Sequence, residues 1–240
     1  MSEPGRARGE PVEPPSERLA DRVASRGTSD LRHPLVRALR ELAEVDRAVY
    51  RAVATTPTPT LDEPLRALTS AADHSKLWLA SAALLFAVGG RRGRRAAITG
   101  VASVAATAAI VNLPLKLAGA RHRPDADAAG VPESRRVSMP VSASFPSGHS
   151  ASAAAFAAGV SSVLPALGAP LGVAAASVGY SRVHAGVHYP GDVVVGAIVG
   201  ASIGDLVAWA GARLHDRRRS VSDERRLVAP ARARRRRSAP

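Results

Sequence analysis

The 240-residue chain contains no cysteine. Disulfides, a thiol nucleophile and every cysteine-ligated zinc or iron–sulfur centre are therefore excluded. Aromatic residues make up only 3% of the chain, too few to build a base-stacking surface. Lysine is nearly absent, with Lys76 and Lys116 standing against 31 arginines. Bulky apolar side chains are scarce as well: 49 alanines carry much of the 46% apolar content. A core built on Ala and Val is shallow, but such helices can approach closely in a bilayer. Residues 1–28 hold no apolar h-region, so no cleavable signal peptide is expected. Their Pro, Gly, Arg and Glu content predicts disorder.

What is present in excess is positive charge, a formal +13. That number invites two readings, a nucleic-acid binder or a membrane protein with basic cytoplasmic ends. Its distribution decides between them. The run Arg91, Arg92, Arg94 and Arg95 contributes +4, and residues 213–240 contribute +8 through eleven arginines and three acids. No face of the middle of the chain is broadly basic. Nucleic acid is not the expected partner, and the run 234–237 reads as an anchor to anionic lipid.

Apolar positions Leu35, Val36, Leu39, Leu42, Val45, Val49 and Val53 recur at helical spacing between Leu31 and Val53. This charged, amphipathic helix should lie on a surface and not span a membrane. Pro57 and Pro59 end it, and a short helix from Leu61 to Ala72 follows. Charge then disappears from Leu77–Gly90, from the 20 residues Ala96–Leu115 and from Ser150–Ser181, and Val193–Ala212 holds only Asp205. Pro165 and Gly168-Ala169-Pro170 divide the third stretch into a hairpin. The fold class is thus all-α, a membrane helical bundle of about five spans. Trp78 and Trp209 fall at span ends, where interfacial residues sit. Basic loops place 91–95 and the tail from Arg213 in the cytoplasm, with loop 116–149 and turn 182–192 on the extracytoplasmic side. Three segments result: a disordered tail 1–28, a membrane-embedded domain 29–212 and a basic disordered tail 213–240.

The loops on that outer side hold most of the unusual polar residues. They are Lys116, six residues, Arg123-Pro124; Pro146-Ser147-Gly148-His149; and Ser181-Arg182, five residues, His188, three residues, Asp192. Each group borders an expected span, so helix ends can gather all three at one membrane face. Two arginines and a lysine supply charge for a phosphoryl group and its transition state. Arg123 and Arg182 can each grip phosphate oxygens in a fork. Ser147 and Gly148 precede an apolar helix, where free N–H groups and the helix dipole favour an anion. His188 with Asp192 has the form of a nucleophile and its orienting carboxylate. His149 is placed to protonate a leaving oxygen and then activate water. Guanidinium and ammonium groups take over the electrostatic work of a metal, so neither metal nor cofactor is expected.

These eleven positions, in order over residues 73–212, resemble the full signature of the type 2 phosphatidic acid phosphatase superfamily. The resemblance implies a helical bundle and metal-independent hydrolysis of a lipid phosphate or polyprenyl (di)phosphate through a phosphohistidine intermediate. It implies His188 as nucleophile, His149 as acid/base, Asp192 as orienter, and Lys116, Arg123, Ser147, Gly148 and Arg182 as phosphate ligands. The segment Asp73-His74-Ser75-Lys76-Leu77-Trp78 is similar to shorter actinobacterial members, some of them candidates for prenyl-linked phosphate hydrolysis in cell-wall building. A vanadium-dependent haloperoxidase of related site, and a non-enzymatic Arg-rich membrane or nucleic-acid binder, are the alternatives. The expected location is a multi-pass plasma-membrane protein with an extracytoplasmic site; oligomeric state is left open.

Other polar residues carry plainer expectations. His184, His188 and Asp192 form an i, i+4, i+8 series, but Gly186 and Pro190 break the helix a metal site would need, so His184 reads as a nearby support. Asp205 reads as paired or water-exposed, Arg121 and His122 as rim residues, and Asn112 as an interhelical hydrogen-bonding residue. Asp73, His74 and Lys76 fit a headgroup contact, a cap or an interfacial anchor equally.

Overall fold

The computed structural model describes residues 34–111 and 121–237. The readings made for residues 1–28, Asn112 and Lys116 lie outside the described residues. The described residues form helices joined by turns and one long loop, with no strand among them. The helices are α1 (Pro34–Thr55), α2 (Pro59–Ala71), α3 (Lys76–Val88), α4 (Gly90–Ile110), α5 (Gly148–Ser161), α6 (Gly168–His184) and α7 (Pro190–Arg237). Short 3₁₀ turns lie at Asp73–Ser75, Glu133–Arg135 and Pro165–Leu167. Proline at the first helical position suits the start of α1, α2 and α7, since its missing N–H costs nothing there. This moves the two N-terminal helices slightly from the 31–53 and 61–72 expected from apolar spacing.

The chain forms two compact units, 1–45 and 46–240. In the first, the described part of α1 carries an exposed pair, Arg37 Nε donating to Glu41 at 3.0 Å one turn on. Val36, Leu39, Leu42 and Val45 lie exposed along it, the apolar stripe that the spacing predicts.

Among the described residues of the second unit, only Pro190–Arg217 within α7 is long and apolar enough to cross a membrane. Its 28 residues measure about 42 Å at 1.5 Å each. The other expected spans fall short of a clear span: α3 has 13 residues, α5 has 14 and α6 has 17. Helix α4 has 21 but spends its first turns on Arg91, Arg92, Arg94 and Arg95. Trp78 also departs from expectation. It is 2% exposed and packs on Phe156 with ring centroids 5.4 Å apart, so it is core and not interface. Trp209 is 57% exposed, with the Arg213 guanidinium over its ring. Residues 213–237, expected to be disordered, continue α7 as helix, which their Arg and Ala content favours.

The core follows from the scarcity of large side chains. Trp78, Phe156, Val160 and Val178 gather with Ala82, Ala96, Ala97 and Ala153. Helices α5 and α7 meet backbone to backbone. A Cβ at Gly200 would lie 2.0 Å from the Ala151 carbonyl oxygen, and Gly196 and Gly204 face Ser147 and Ala155 in the same way. Three glycines at four-residue spacing thus seat α7 directly on α5.

Candidate active site

Helix α5 begins at a cap the sequence supplies. Ser147 stands at the N-cap in an extended conformation, and its hydroxyl accepts from the Ser150 N–H at 3.4 Å and the Ser150 hydroxyl at 3.0 Å. Ser147 is fully buried and its hydroxyl is spent in this cap. Gly148 and His149, immediately after it, line a cavity of about 170 Å³ together with Arg123, Ser152, Arg182 and His188. The residues singled out in three separate segments therefore converge on one space. Helix α6 delivers Arg182 on its last turn, the turn after it delivers His188, and the loop from 121 delivers Arg123.

His188 is 2% exposed. Arg123 Nη1 lies 3.1 Å from its Nε2 and 2.8 Å from the Val187 carbonyl. Arginine can only donate, so Nε2 is the accepting nitrogen and Nδ1 carries the proton. Nδ1 faces Asp192 Oδ2 at 3.5 Å, a charge contact longer than a hydrogen bond. Burial pushes the His188 imidazole down to about 4, assisted by the Arg123 and Arg182 charges and opposed by Asp192. A neutral ring with a lone pair at Nε2 is the form that can attack an electrophile. Arg123 also donates to the Ser142 carbonyl at 2.9 Å and reaches the Ala143 carbonyl at 3.3 Å, so it fastens the loop that covers the cavity.

Asp192 is wholly buried and held on both oxygens. Oδ2 accepts from the Tyr189 N–H at 2.9 Å, and Oδ1 accepts from Arg121 Nη1 at 2.9 Å. Arg121 Nη2 reaches Asp46 at 2.7 Å, and its guanidinium stacks 4.1 Å over the Tyr189 ring. Asp46 in turn accepts from the Gly191 N–H at 2.7 Å, at the start of α7. Arg121 is therefore the clamp of the carboxylate, where sequence spacing placed it at the rim.

A second histidine–carboxylate pair stands opposite. His149 Nε2 lies 2.8 Å from Asp73 Oδ1. The two residues after Asp73, His74 (φ 53°) and Ser75 (φ 61°), adopt left-handed backbone unusual for non-glycine residues. This bend turns the chain from α2 into α3, with Asp73 against His149 and with His74 and Ser75 lining the cavity. Such strain is typical of sites where function fixes the backbone. Arg182, 2% exposed, donates to the Thr69 hydroxyl at 2.6 Å and lies 3.9 Å from Asp73. Its Nε is buried with no hydrogen-bond partner among the described residues, a donor suited to an anion.

His184 belongs to a different network. Its Nε2 lies 2.9 Å from the Thr58 hydroxyl and 3.3 Å from Asp62, which also accepts from Arg135 Nε at 2.8 Å and the Ser134 hydroxyl at 3.0 Å. Burial raises the Asp62 carboxyl, but the Ser134 and Thr58 hydrogen bonds and the Arg135 charge outweigh it and hold it below the ordinary carboxylate value. Arg135, 1% exposed, also donates to the Thr56 carbonyl at 2.8 Å and pins the loop after residue 121 to the junction of α1 and α2. Breaking so buried a pair costs about 3–5 kcal/mol. His184 is thus a support, and it does not converge with His188 and Asp192 on one point. Asp205 is exposed on α7. Asp73 and Arg121 are the site residues that the sequence motifs missed; their only signal was polarity beside an apolar segment.

The chain is similar over 148 residues to the decaprenylphosphoryl-5-phosphoribose phosphatase of Mycobacterium tuberculosis, at 35% identity, covering 61% of this chain and 78% of that protein. Its fold resembles the transmembrane PAP2-type phosphatidylglycerolphosphate phosphatase from Bacillus subtilis (TM-score 0.53, 26% identity, 72% of this chain and 87% of that one). It also resembles LpxE of Aquifex aeolicus (TM-score 0.54, 25% identity, 68% and 94%). The family model for the PAP2 superfamily matches residues 96–216, a stretch that contains both histidines and both cavity arginines. With that match, the chain belongs to the PAP2 superfamily and is a membrane lipid phosphatase.

Proposed function

We propose that this phosphatase hydrolyses the terminal phosphate of a membrane lipid, of the polyprenyl-phosphosugar phosphate class named for its mycobacterial relative, through a phosphohistidine on His188. The observation that carries the reading is the convergence of His188, His149, Arg123, Arg182 and the start of α5 on one cavity. The phosphate enters against Arg182 Nε and the N–H groups at Gly148, and the sequence motif adds Lys116 as a further phosphate ligand. It takes over the Arg123 guanidinium, which exposes the Nε2 lone pair. Nε2 attacks phosphorus while Asp192 stabilises the positive charge that develops on the ring. His149, paired to Asp73, gives a proton to the departing sugar oxygen. It then takes one from water, which attacks phosphorus and returns His188 with free phosphate.

The membrane phosphatases it resembles and the apolar Pro190–Arg217 stretch of α7 support reading the protein as a multi-pass plasma-membrane protein. The site lies on the extracytoplasmic face, opposite the Arg91–Arg95 run and the basic end of α7. The test is phosphate release by the purified full-length protein in EDTA. Substrates are phosphatidate, polyprenyl monophosphate and diphosphate, and a polyprenyl-phosphosugar phosphate. His188→Ala should lower turnover at least ~10⁴-fold. Absence of release by the wild type, or full activity in His188→Ala, overturns the mechanism.

A further inference from the structure

The catalytic cavity, at about 170 Å³, is smaller than the ~300–1,000 Å³ of sites that enclose whole ligands. It takes a phosphoryl group and little more, so the rest of a headgroup has to leave it. A second cavity of about 470 Å³ adjoins it and shares Pro140 and Arg182 as walls. Its remaining polar lining is Arg66, Ser70, Asp73, Glu133, Arg136 and Ser138. Three guanidinium groups face two carboxylates there, and one of those carboxylates, Asp73, is already engaged with His149.

The arginines around this cavity differ in what they hold. Arg136 donates to the Val131 carbonyl at 2.7 Å and pairs with Asp127, which fixes it to its own loop. Arg182 is tied to Thr69. Arg66 is exposed and makes no hydrogen bond or ion pair among the described residues. It stands on α2 one turn before Ser70 and two before Asp73, so a guanidinium, a hydroxyl and a carboxylate follow one face of the chain into the site. An unpaired arginine on the wall of a polar cavity is a donor fork in want of an anion.

We infer that the second cavity is an anion subsite: it holds the bridging phosphodiester of a lipid headgroup whose terminal phosphate occupies the catalytic cavity, with Arg66 as the specificity-determining residue. This rests on the reading of the chain as a lipid phosphatase acting on a phosphosugar lipid, and it adds where the second phosphate of such a substrate binds. Ser70 and Ser138 offer hydroxyls to the sugar ring between the two phosphates. A lipid bearing a single phosphate leaves the subsite to water.

The experiment compares kcat and KM of full-length wild type, Arg66→Ala and Arg66→Glu on a polyprenyl-phosphoribose 5-phosphate and on polyprenyl monophosphate. Arg66→Ala should raise KM for the two-phosphate lipid about tenfold, the worth of one charged hydrogen bond, with kcat unchanged. Arg66→Glu should raise it further. Both variants should leave KM for the monophosphate within about twofold. Equal losses on both lipids, or no loss on either, overturn the subsite. So does a wild type that cleaves the monophosphate but not the two-phosphate lipid, and that result leaves the phosphatase reading standing. A wild type that cleaves neither lipid sinks both.

Discussion

The two histidine–aspartate pairs of the site are built to opposite specifications. His188 and Asp192 sit four residues apart at the entry to α7. Asp192 is wholly buried and gripped by the Tyr189 N–H and by Arg121, yet stands 3.5 Å from the ring it serves. His149 and Asp73 come from segments 76 residues apart, touch at 2.8 Å, and keep 21% and 43% of their side chains exposed. The first pair is fixed and dry, and the second is close and wet. A nucleophile must hold one tautomer and one direction, which rigidity secures. An acid/base must exchange its proton with solvent in every turnover, which access to water permits.

That contrast can be broken from either side. Asp192→Asn should be the more damaging change, about 10³-fold in kcat, because the amide can present its NH₂ to His188 Nδ1 and favour the wrong tautomer. Asp73→Asn should cost less, about 10–100-fold in kcat, and should displace the pH profile of kcat, since it removes the charge that supports a protonated His149. If Asp73→Asn proves as severe as Asp192→Asn with an unmoved profile, the two pairs are not specialised.

The smallest effect is on stability. His188 ordinarily titrates near 6.5, and the fold lowers it to about 4. Above pH 6.5 both folded and unfolded chains keep it neutral, so it contributes nothing. Between 6.5 and 4 the unfolded chain takes a proton that the folded chain refuses, and stability falls as pH falls, by at most ~1.4 kcal/mol per pH unit. Below 4 the penalty no longer grows. His188→Gln should therefore flatten the decline of Tm measured from pH 7 to pH 4; identical slopes in both proteins contradict the burial argument.

The sequence showed these two pairs unequally. His188 and Asp192 share one short stretch, so spacing alone links them. Arg123, Gly148, His149 and Arg182 were legible because each interrupts or borders an apolar run, and all four line the cavity. Asp73 was visible as a polar residue before α3, but its partnership with His149 is a tertiary contact that no local period encodes. Arg121 is a similar case: two acids, 75 and 71 residues away, make it a clamp. Trp78 misled because a tryptophan at the end of an apolar segment suits an interface and a core equally until its neighbour, Phe156, is known. Helix type was clear from composition, since Ala and Arg favour helix wherever Pro and Gly do not intervene. The count of spans was not, because α3, α5 and α6 have only 13, 14 and 17 residues, fewer than a clear span needs.

The glycines of α7 have a consequence that reaches beyond packing. Asp192 and Gly200 ride on one helix, and His149 begins the other, so the separation between the two halves of the chemistry is measured by main chain lying on main chain. Side chains can change rotamer to absorb an error; a carbonyl oxygen where a Cβ would lie 2.0 Å away cannot. A methyl group added at Gly200, which does not line the catalytic cavity, would pry the helices apart and act as a change to the active site without entering it.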